Sequence, residues 1–240
     1  MKIGICDWGI GGLGLVKAMQ DREVAGDIVY FSDAGYTPYG KVDEALLRKR
    51  WNQVKGFLRG QGAEQIVVAC NALSTVVENE KKVITVGNAV KSIIKEYSRS
   101  RLAILGGFRT IESKIYDFGF KGHTGWVAQP LSALVERGVL EGPEVIEEVH
   151  RIINQIGQVE VIVLACTHYP ALMPVLKELY PDTKFIDPTE RLLSDVTELS
   201  IQHGELTCYT TGNTTQMMAS TQKAWGMVLH KVSQIELTLQ

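Results

Sequence analysis

No apolar run in the 240 residues approaches the length of a membrane-spanning helix, and no basic stripe breaks the mixed charges, which sum to −2. Neither a membrane nor a nucleic acid is therefore an expected partner, since a phosphate backbone demands clustered positive charge. The N-terminus runs directly into a short apolar strand without the layout of a secretory signal, which predicts a cytoplasmic location. Cysteine is scarce as well. Cys6, Cys70, Cys166 and Cys208 are too few and too scattered to build a disulfide framework in a chain of this size, so reduced thiols are expected. No CxxC or HExxH sequence occurs, and His123, His150, His168, His203 and His230 stand far apart. No metal and no cofactor are expected.

Against that background two segments stand out. Gln65-Ile66-Val67-Val68-Ala69-Cys70-Asn71 and Val161-Ile162-Val163-Leu164-Ala165-Cys166-Thr167 each run an apolar strand into Ala-Cys and then a helix-capping type of residue. The pattern places each thiol where a strand ends and a helix begins, and two matched thiols point to a reaction that needs two acid/base groups. Cys70 and Cys166 lie 96 residues apart, while Lys2-Ile3-Gly4-Ile5-Cys6-Asp7 and the similar Arg101-Leu102-Ala103-Ile104-Leu105-Gly106 lie 99 apart. A period near that length is too long for a solenoid unit and suits a duplicated α/β domain with its site between the copies.

Short apolar strands alternate with helical stretches throughout. Ile3–Cys6, Asp27–Phe31, Gln65–Ala69, Val83–Val86, Leu102–Leu105, Gly122–Val127, Val159–Ala165 and Lys184–Ile186 read as strands. Leu13–Gln20, Asp43–Arg59, Ala89–Tyr97, Thr110–Tyr116, Leu131–Arg137, Pro143–Ile156 and Ala171–Leu179 read as helices. A long helix-like stretch after Glu190, a late strand near Leu206–Gly212 and a final helix over Thr214–Leu229 follow. The fold class expected is α/β: two pseudo-symmetric lobes, each a largely parallel sheet flanked by helices, with the site between them. Asn79–Lys82 and Ser98–Arg101 are candidate joints. Residues 1–97 form the first lobe, completed by 188–240 with the last helix packing on it, and 98–187 form the second.

Gly9-Ile10-Gly11-Gly12-Leu13-Gly14 fits G-x-G-x-x-G after a strand, which raises a dinucleotide-binding alternative. Asp7 at the start of that turn would repel a pyrophosphate, and only Asp27 and Asp33 offer themselves for the ribose. Gly11 and Gly12 instead read as a tight turn that brings backbone close to a small carboxylate substrate.

The sequence resembles the glutamate racemases over nearly its whole length. The resemblance is carried in order by Asp7-Trp8-Gly9-Ile10-Gly11-Gly12-Leu13, Tyr30-Phe31-Ser32-Asp33 with Pro38-Tyr39-Gly40, Ala69-Cys70-Asn71, and Leu164-Ala165-Cys166-Thr167-His168-Tyr169-Pro170. Thr110-Ile111-Glu112-Ser113 with Tyr116, Leu134-Val135-Glu136 and Tyr209-Thr210-Thr211-Gly212 add to it. It implies a cofactor-independent amino-acid racemase acting on glutamate, with Cys70 and Cys166 exchanging a proton at the α-carbon, Asp7 and His168 assisting them, and Glu136 also in the catalytic set. It also implies a small amino-acid or carboxylate substrate, a contribution to cell-wall peptidoglycan synthesis, and allows for a homodimer.

Trp8, Tyr39, Gly40, Asn71, Ala72, Thr110 and Thr167 fall at positions that resemble the family's substrate-binding set. Asn71 and Thr167 are also suited to helix capping. Three positions depart from the family. Trp8 stands where Ser is usual, Ala72 where Thr is usual, and Gly107 near another Thr. Exchanging hydroxyls for indole and for bare backbone reshapes a polar pocket, so aspartate, another amino acid or a hydantoin-like molecule stands beside glutamate as a substrate, and a non-catalytic binding protein stands as the alternative outside enzymology. Cys6, inside a strand, and Cys208 read as core packing.

Overall fold

The computed structural model describes residues 1–24, 26–77, 80–197 and 204–237. Strands and helices alternate as β1 (Lys2–Asp7), α1 (Leu13–Asp21), β2 (Asp27–Ser32), α2 (Glu44–Gly60), β3 (Gln65–Val68), α3 (Asn71–Ser74), β4 (Val83–Thr85) and α4 (Val86–Glu96). The chain then builds β5 (Leu102–Gly106), α5 (Phe108–Glu112), β6 (His123–Val127), α6 (Gln129–Glu136), α7 (Pro143–Ile156), β7 (Val161–Ala165), α8 (Met173–Leu179) and β8 (Lys184–Ile186). After these come α9 (Thr189–Thr197), β9 (Leu206–Thr210), α10 (Thr214–Trp225) and β10 (Val232–Gln234).

The strands form two sheets, six-stranded in the order β10-β9-β2-β1-β3-β4 and four-stranded in the order β6-β5-β7-β8. Every pairing is parallel. The central run β2-β1-β3-β4 of one sheet has the order of β6-β5-β7-β8 in the other. Register repeats with it: Ile3 pairs with Gln65 in the first sheet and Leu102 with Val161 in the second. Those partners are the same 99 and 96 residues apart that the sequence repeat displays, so the repeat is one of strand register. β3 and β7 are interior strands buried along their length, which explains their unbroken apolar runs.

Local chemistry sets several element ends. Asp43 caps α2 by accepting from Leu46 N, Thr85 caps α4 through Asn88 N, and Pro143 opens α7. Gly226 adopts a left-handed conformation at φ 64°, which stops α10 at Trp225 rather than at Leu229. The helix expected over Thr110–Tyr116 instead spans Phe108–Glu112, because Lys114 turns left-handed at φ 54°. The three-residue strand β10 has no counterpart in the sequence reading. Asn79 of one candidate joint and residues 198–203 of the helix-like stretch after Glu190 lie outside the described residues.

One apolar core runs through both lobes, from Ile3, Ile5 and Val16 to Ile104, Leu134 and Val163. A second cluster, including Phe31, Trp51, Leu58 and Val68, fills the space under α2. α9 packs against α1 and α4. The last helix touches both lobes rather than the first alone: α10 packs on α1 and α6, with Trp225 Nε1 donating to Ile10 O at 2.9 Å and Ser220 Oγ donating to Glu136 O at 2.8 Å. Among the described residues no helix is long and apolar enough to cross a membrane.

Candidate active site

In parallel sheets the carboxyl ends of the strands open onto crevices, and here the two sheets bring theirs to one cleft. Asp7 ends β1, Cys70 follows β3, and Cys166 follows β7, leading through Thr167 and His168 into a short 3-10 turn over Tyr169–Leu172. The cleft is open to solvent, and its empty space, open solvent included, is about 430 Å³. Asp7, Trp8, Tyr39, Gly40, Cys70, Asn71, Ala72, Thr110, Cys166, Thr167 and His168 all line it. Glu136 does not. It stands behind His168, at the end of α6.

The first lobe contributes a carboxylate and a thiol. Asp7 is buried and accepts hydrogen bonds from Trp8 N at 2.7 Å, Gly12 N at 2.7 Å and Thr167 Oγ1 at 2.8 Å. Burial raises its carboxyl above the usual range, against the opposing pull of His168 and of its donors. Burial and the neighbouring Asp7 carboxylate push the Cys70 thiol well up, so Cys70 is held in its protonated form.

The second lobe contributes a thiol, an imidazole and a carboxylate in line. His168 Nδ1 stands 3.8 Å from Cys166 Sγ, and His168 Nε2 stands 2.8 Å from Glu136 Oε2, which also accepts from Ile10 N at 2.9 Å. Burial pulls the imidazolium down, but Cys166 and Glu136 outweigh it and leave His168 well above the ordinary histidine range. The imidazolium therefore stands as a proton donor beside the second sulfur.

Several assignments change once the side chains are seen. Neither Asn71 nor Thr167 caps a helix. Cys70 occupies the N-cap position of α3, Asn71 Oδ1 accepts from Tyr116 OH at 2.6 Å, and Thr167 spends its hydroxyl on Asp7. Asn71 Nδ2 is buried with no partner among the described residues, a donor beside the cleft that a ligand's oxygen would satisfy. Gly11 brings backbone close to Thr167 and His168. A Cβ there would lie 2.6 Å from Thr167 Oγ1 and 2.7 Å from His168 Nδ1. The dinucleotide reading also lapses: Gly12 N is taken by Asp7, and the N–H groups of Leu13, Gly14 and Leu15 bond to Ile10, Gly11 and Gly12 carbonyls, leaving no cradle for a pyrophosphate.

Tyr39 and Trp8 line the cleft with their polar atoms already engaged. Tyr39 OH donates to Asp33 Oδ2 at 2.6 Å, and Trp8 Nε1 donates to Tyr36 O at 3.0 Å. Trp8 thus offers an apolar face, 6.3 Å between centroids from the His168 ring. Asp33 is itself gripped by Arg50, whose Nη2 and Nε lie 2.6 and 2.8 Å from its two oxygens. Cys6 and Cys208 are buried in apolar clusters. Among the described residues no group of three or more His, Cys, Asp or Glu is placed to hold a metal ion.

Two lining residues escaped the sequence reading, Gln129 and Ser132, both on α6. Their position just beyond β6 was the available signal, because residues after strand carboxyl ends are where such sites form.

No family model matches the chain. It is 33% identical to the glutamate racemase of Aquifex pyrophilus over 204 residues, covering 80% of each chain. It is 31% identical over 209 residues to glutamate racemase 3 of Caldanaerobacter subterraneus subsp. tengcongensis, covering 82% of this chain and 77% of that one. Among solved structures, its fold matches a Francisella tularensis glutamate racemase in complex with D-glutamate and a Thermus thermophilus glutamate racemase in complex with beta-chloro-D-alanine. Both have a TM-score of 0.87 and cover 98% of this chain and 97% of theirs, at 22% and 24% identity.

Proposed function

The chain belongs to the glutamate racemases, a family of isomerases, and from that premise we propose that it interconverts L- and D-glutamate by two-thiol proton transfer at the α-carbon, without a cofactor. The observation that supports this most is the meeting of Cys70 and Cys166 in one cleft, each after the corresponding strand of its own sheet. The α-proton of an amino acid is a very weak acid. Inversion needs one group to remove it and another to return a proton to the opposite face, and a pair of thiols from facing lobes meets that need.

In one direction Cys166, as thiolate, takes the α-proton while Cys70 delivers its own; in the other the sulfurs exchange roles. His168 and Asp7 then reset the proton on the sulfur beside each. Glu136 holds the imidazole in orientation, as a carboxylate behind a histidine commonly does. Because no Lys or Arg is among the described residues lining the cleft, substrate carboxylates bind to neutral donors such as Asn71 Nδ2 and to backbone N–H groups near Gly40, Ala72 and Thr167. The D-glutamate formed serves peptidoglycan synthesis in the cytoplasm.

Trp8 favours a second substrate reading, in which the shorter aspartate replaces glutamate, since the indole occupies the volume of a compact hydroxyl. A polarimetric assay on both enantiomers of glutamate, aspartate and a set of neutral amino acids tests the function. Decay of glutamate rotation from either enantiomer to zero, without added pyridoxal phosphate, metal or nicotinamide, is expected. Absence of racemisation across the set, or dependence on such an addition, would overturn it.

A further inference from the structure

Gln129 lines both the cleft and the groove beside it, and its partners fix the orientation of its amide. Oε1 accepts from Phe108 N at 3.1 Å, and a backbone N–H can only donate. Ser132 Oγ spends its hydrogen on Gln129 O at 2.8 Å, so it accepts from Gln129 Nε2 at 3.2 Å. Nε2 carries two hydrogens. One goes to Ser132, and the second has no partner among the described residues.

The amide sits where it does because two glycines make room for it. A Cβ built at Gly40, in the first lobe, or at Gly107, in the second, would lie 2.8 Å from Gln129 Oε1. No Lys or Arg is among the described residues lining this cleft, and Arg109 of the adjoining groove is engaged by Thr75, Val42 O and Glu44, so a carboxylate on the substrate's side chain would draw on neutral donors here.

We propose that Gln129 Nε2 donates to the side-chain carboxylate of the substrate and sets the preference for a dicarboxylic amino acid. The inference rests on the racemase reading and adds a specificity-determining residue to it.

Gln129→Glu is the cleanest variant, because it keeps the oxygen that holds Phe108 N and nearly the same shape while replacing the donor by negative charge. Its KM for glutamate rises roughly tenfold to a hundredfold with a smaller change in kcat, as for loss of a hydrogen bond to a charged group. Its preference shifts from glutamate toward glutamine, whose carboxamide can donate. Gly107→Ala, which crowds the amide without adding charge, raises the glutamate KM in the same direction, and thermal melts show whether each variant is folded. A folded Gln129→Glu protein whose glutamate KM and glutamate-to-glutamine preference equal the parent's would overturn the assignment while leaving the racemase reading intact. Should Gln129→Glu not fold, an unchanged KM in folded Gly107→Ala overturns it equally. A parent protein that exchanges the α-proton of no amino acid would remove both readings.

Discussion

Thr167 Oγ1 donates to Asp7 Oδ2 at 2.8 Å, joining residues 160 positions apart at the carboxyl ends of strands from different sheets. The same Asp7 oxygen accepts Gly12 N, and Gly11 lies so close to Thr167 and His168 that no Cβ fits there. The turn after β1 and the turn after β7 are therefore one structure. The carboxylate beside Cys70 is positioned by the neighbour of Cys166, so the two halves of the site cannot be built independently.

The thiols differ in accessibility, which gives a chemical order. Cys6, Cys70 and Cys208 are buried, and burial pushes their thiols up, Cys208 to about 12; Cys166 is half-buried in the cleft. Iodoacetamide at neutral pH modifies Cys166 first, and racemisation falls in step with that modification. Peptide mapping by mass spectrometry checks it. Early labelling of Cys6 or Cys208, or full activity after Cys166 is blocked, contradicts the assignment.

Arg50 and Asp33 form a buried ion pair whose carboxylate also receives Tyr39 OH and Thr211 Oγ1. Arg50 further reaches Leu237 O at 3.0 Å and lies over the Tyr36 ring, whose carbonyl holds Trp8. Arg50→Met strands a carboxylate in the interior and costs about 3–5 kcal/mol. In a domain of this size that lowers the melting temperature by roughly 10 °C. A calorimetric shift below about 2 °C would show that Asp33 finds other compensation.

Much of this architecture is legible in the sequence because interior parallel strands need continuous β-branched runs. β3 and β7 announce themselves, and their matched cysteines locate the cleft. What is not legible depends on contacts between distant positions. The capping readings for Asn71 and Thr167 fail because Tyr116 and Asp7, 45 and 160 residues away, compete successfully for those side chains. Gln129 follows a strand end, but the space that admits its amide comes from Gly40 and Gly107, 89 and 22 residues before it. β10 has only three residues with mixed polarity, too short a pattern to separate from a loop.

His168 gives a signed pH dependence. Burial lowers its folded value, but Cys166 and Glu136 raise it further, to well above the ordinary 6.5. The folded protein thus holds a proton that the unfolded chain releases near 6.5, so this contribution to stability is complete below that pH and is lost as pH rises through the folded value. Denaturant melts of the parent and His168→Asn at about pH 6 and about pH 9 show the larger stability gap at the lower pH. An equal gap, or a larger one at high pH, contradicts the protonated imidazole.

Trp8 shapes the pocket and supplies no proton, because its N–H is committed to Tyr36 O. Trp8→Ser combined with Ala72→Thr restores two hydroxyls and raises kcat/KM for glutamate relative to neutral amino acids, by roughly tenfold if one new hydrogen bond to the substrate forms. Losing the indole bond costs about 1 kcal/mol of stability. Unchanged relative preferences in a folded double variant, measured in parallel on glutamate, aspartate and neutral amino acids, would show that Trp8 does not select the substrate.

The central claim is that Cys70 and Cys166 carry the α-proton on opposite faces of the substrate. Proton NMR of each glutamate enantiomer incubated with enzyme in deuterium oxide follows loss of the α-proton signal, with chiral chromatography reporting inversion. In the parent the inverted enantiomer carries solvent deuterium at the α-carbon, starting from either side. Cys70→Ser and Cys166→Ser, near-isosteric changes that keep the fold, each slow inversion by roughly a hundredfold or more, as expected for losing an acid/base group. Inversion at the parent rate in folded Cys70→Ser and Cys166→Ser would contradict the two-thiol account.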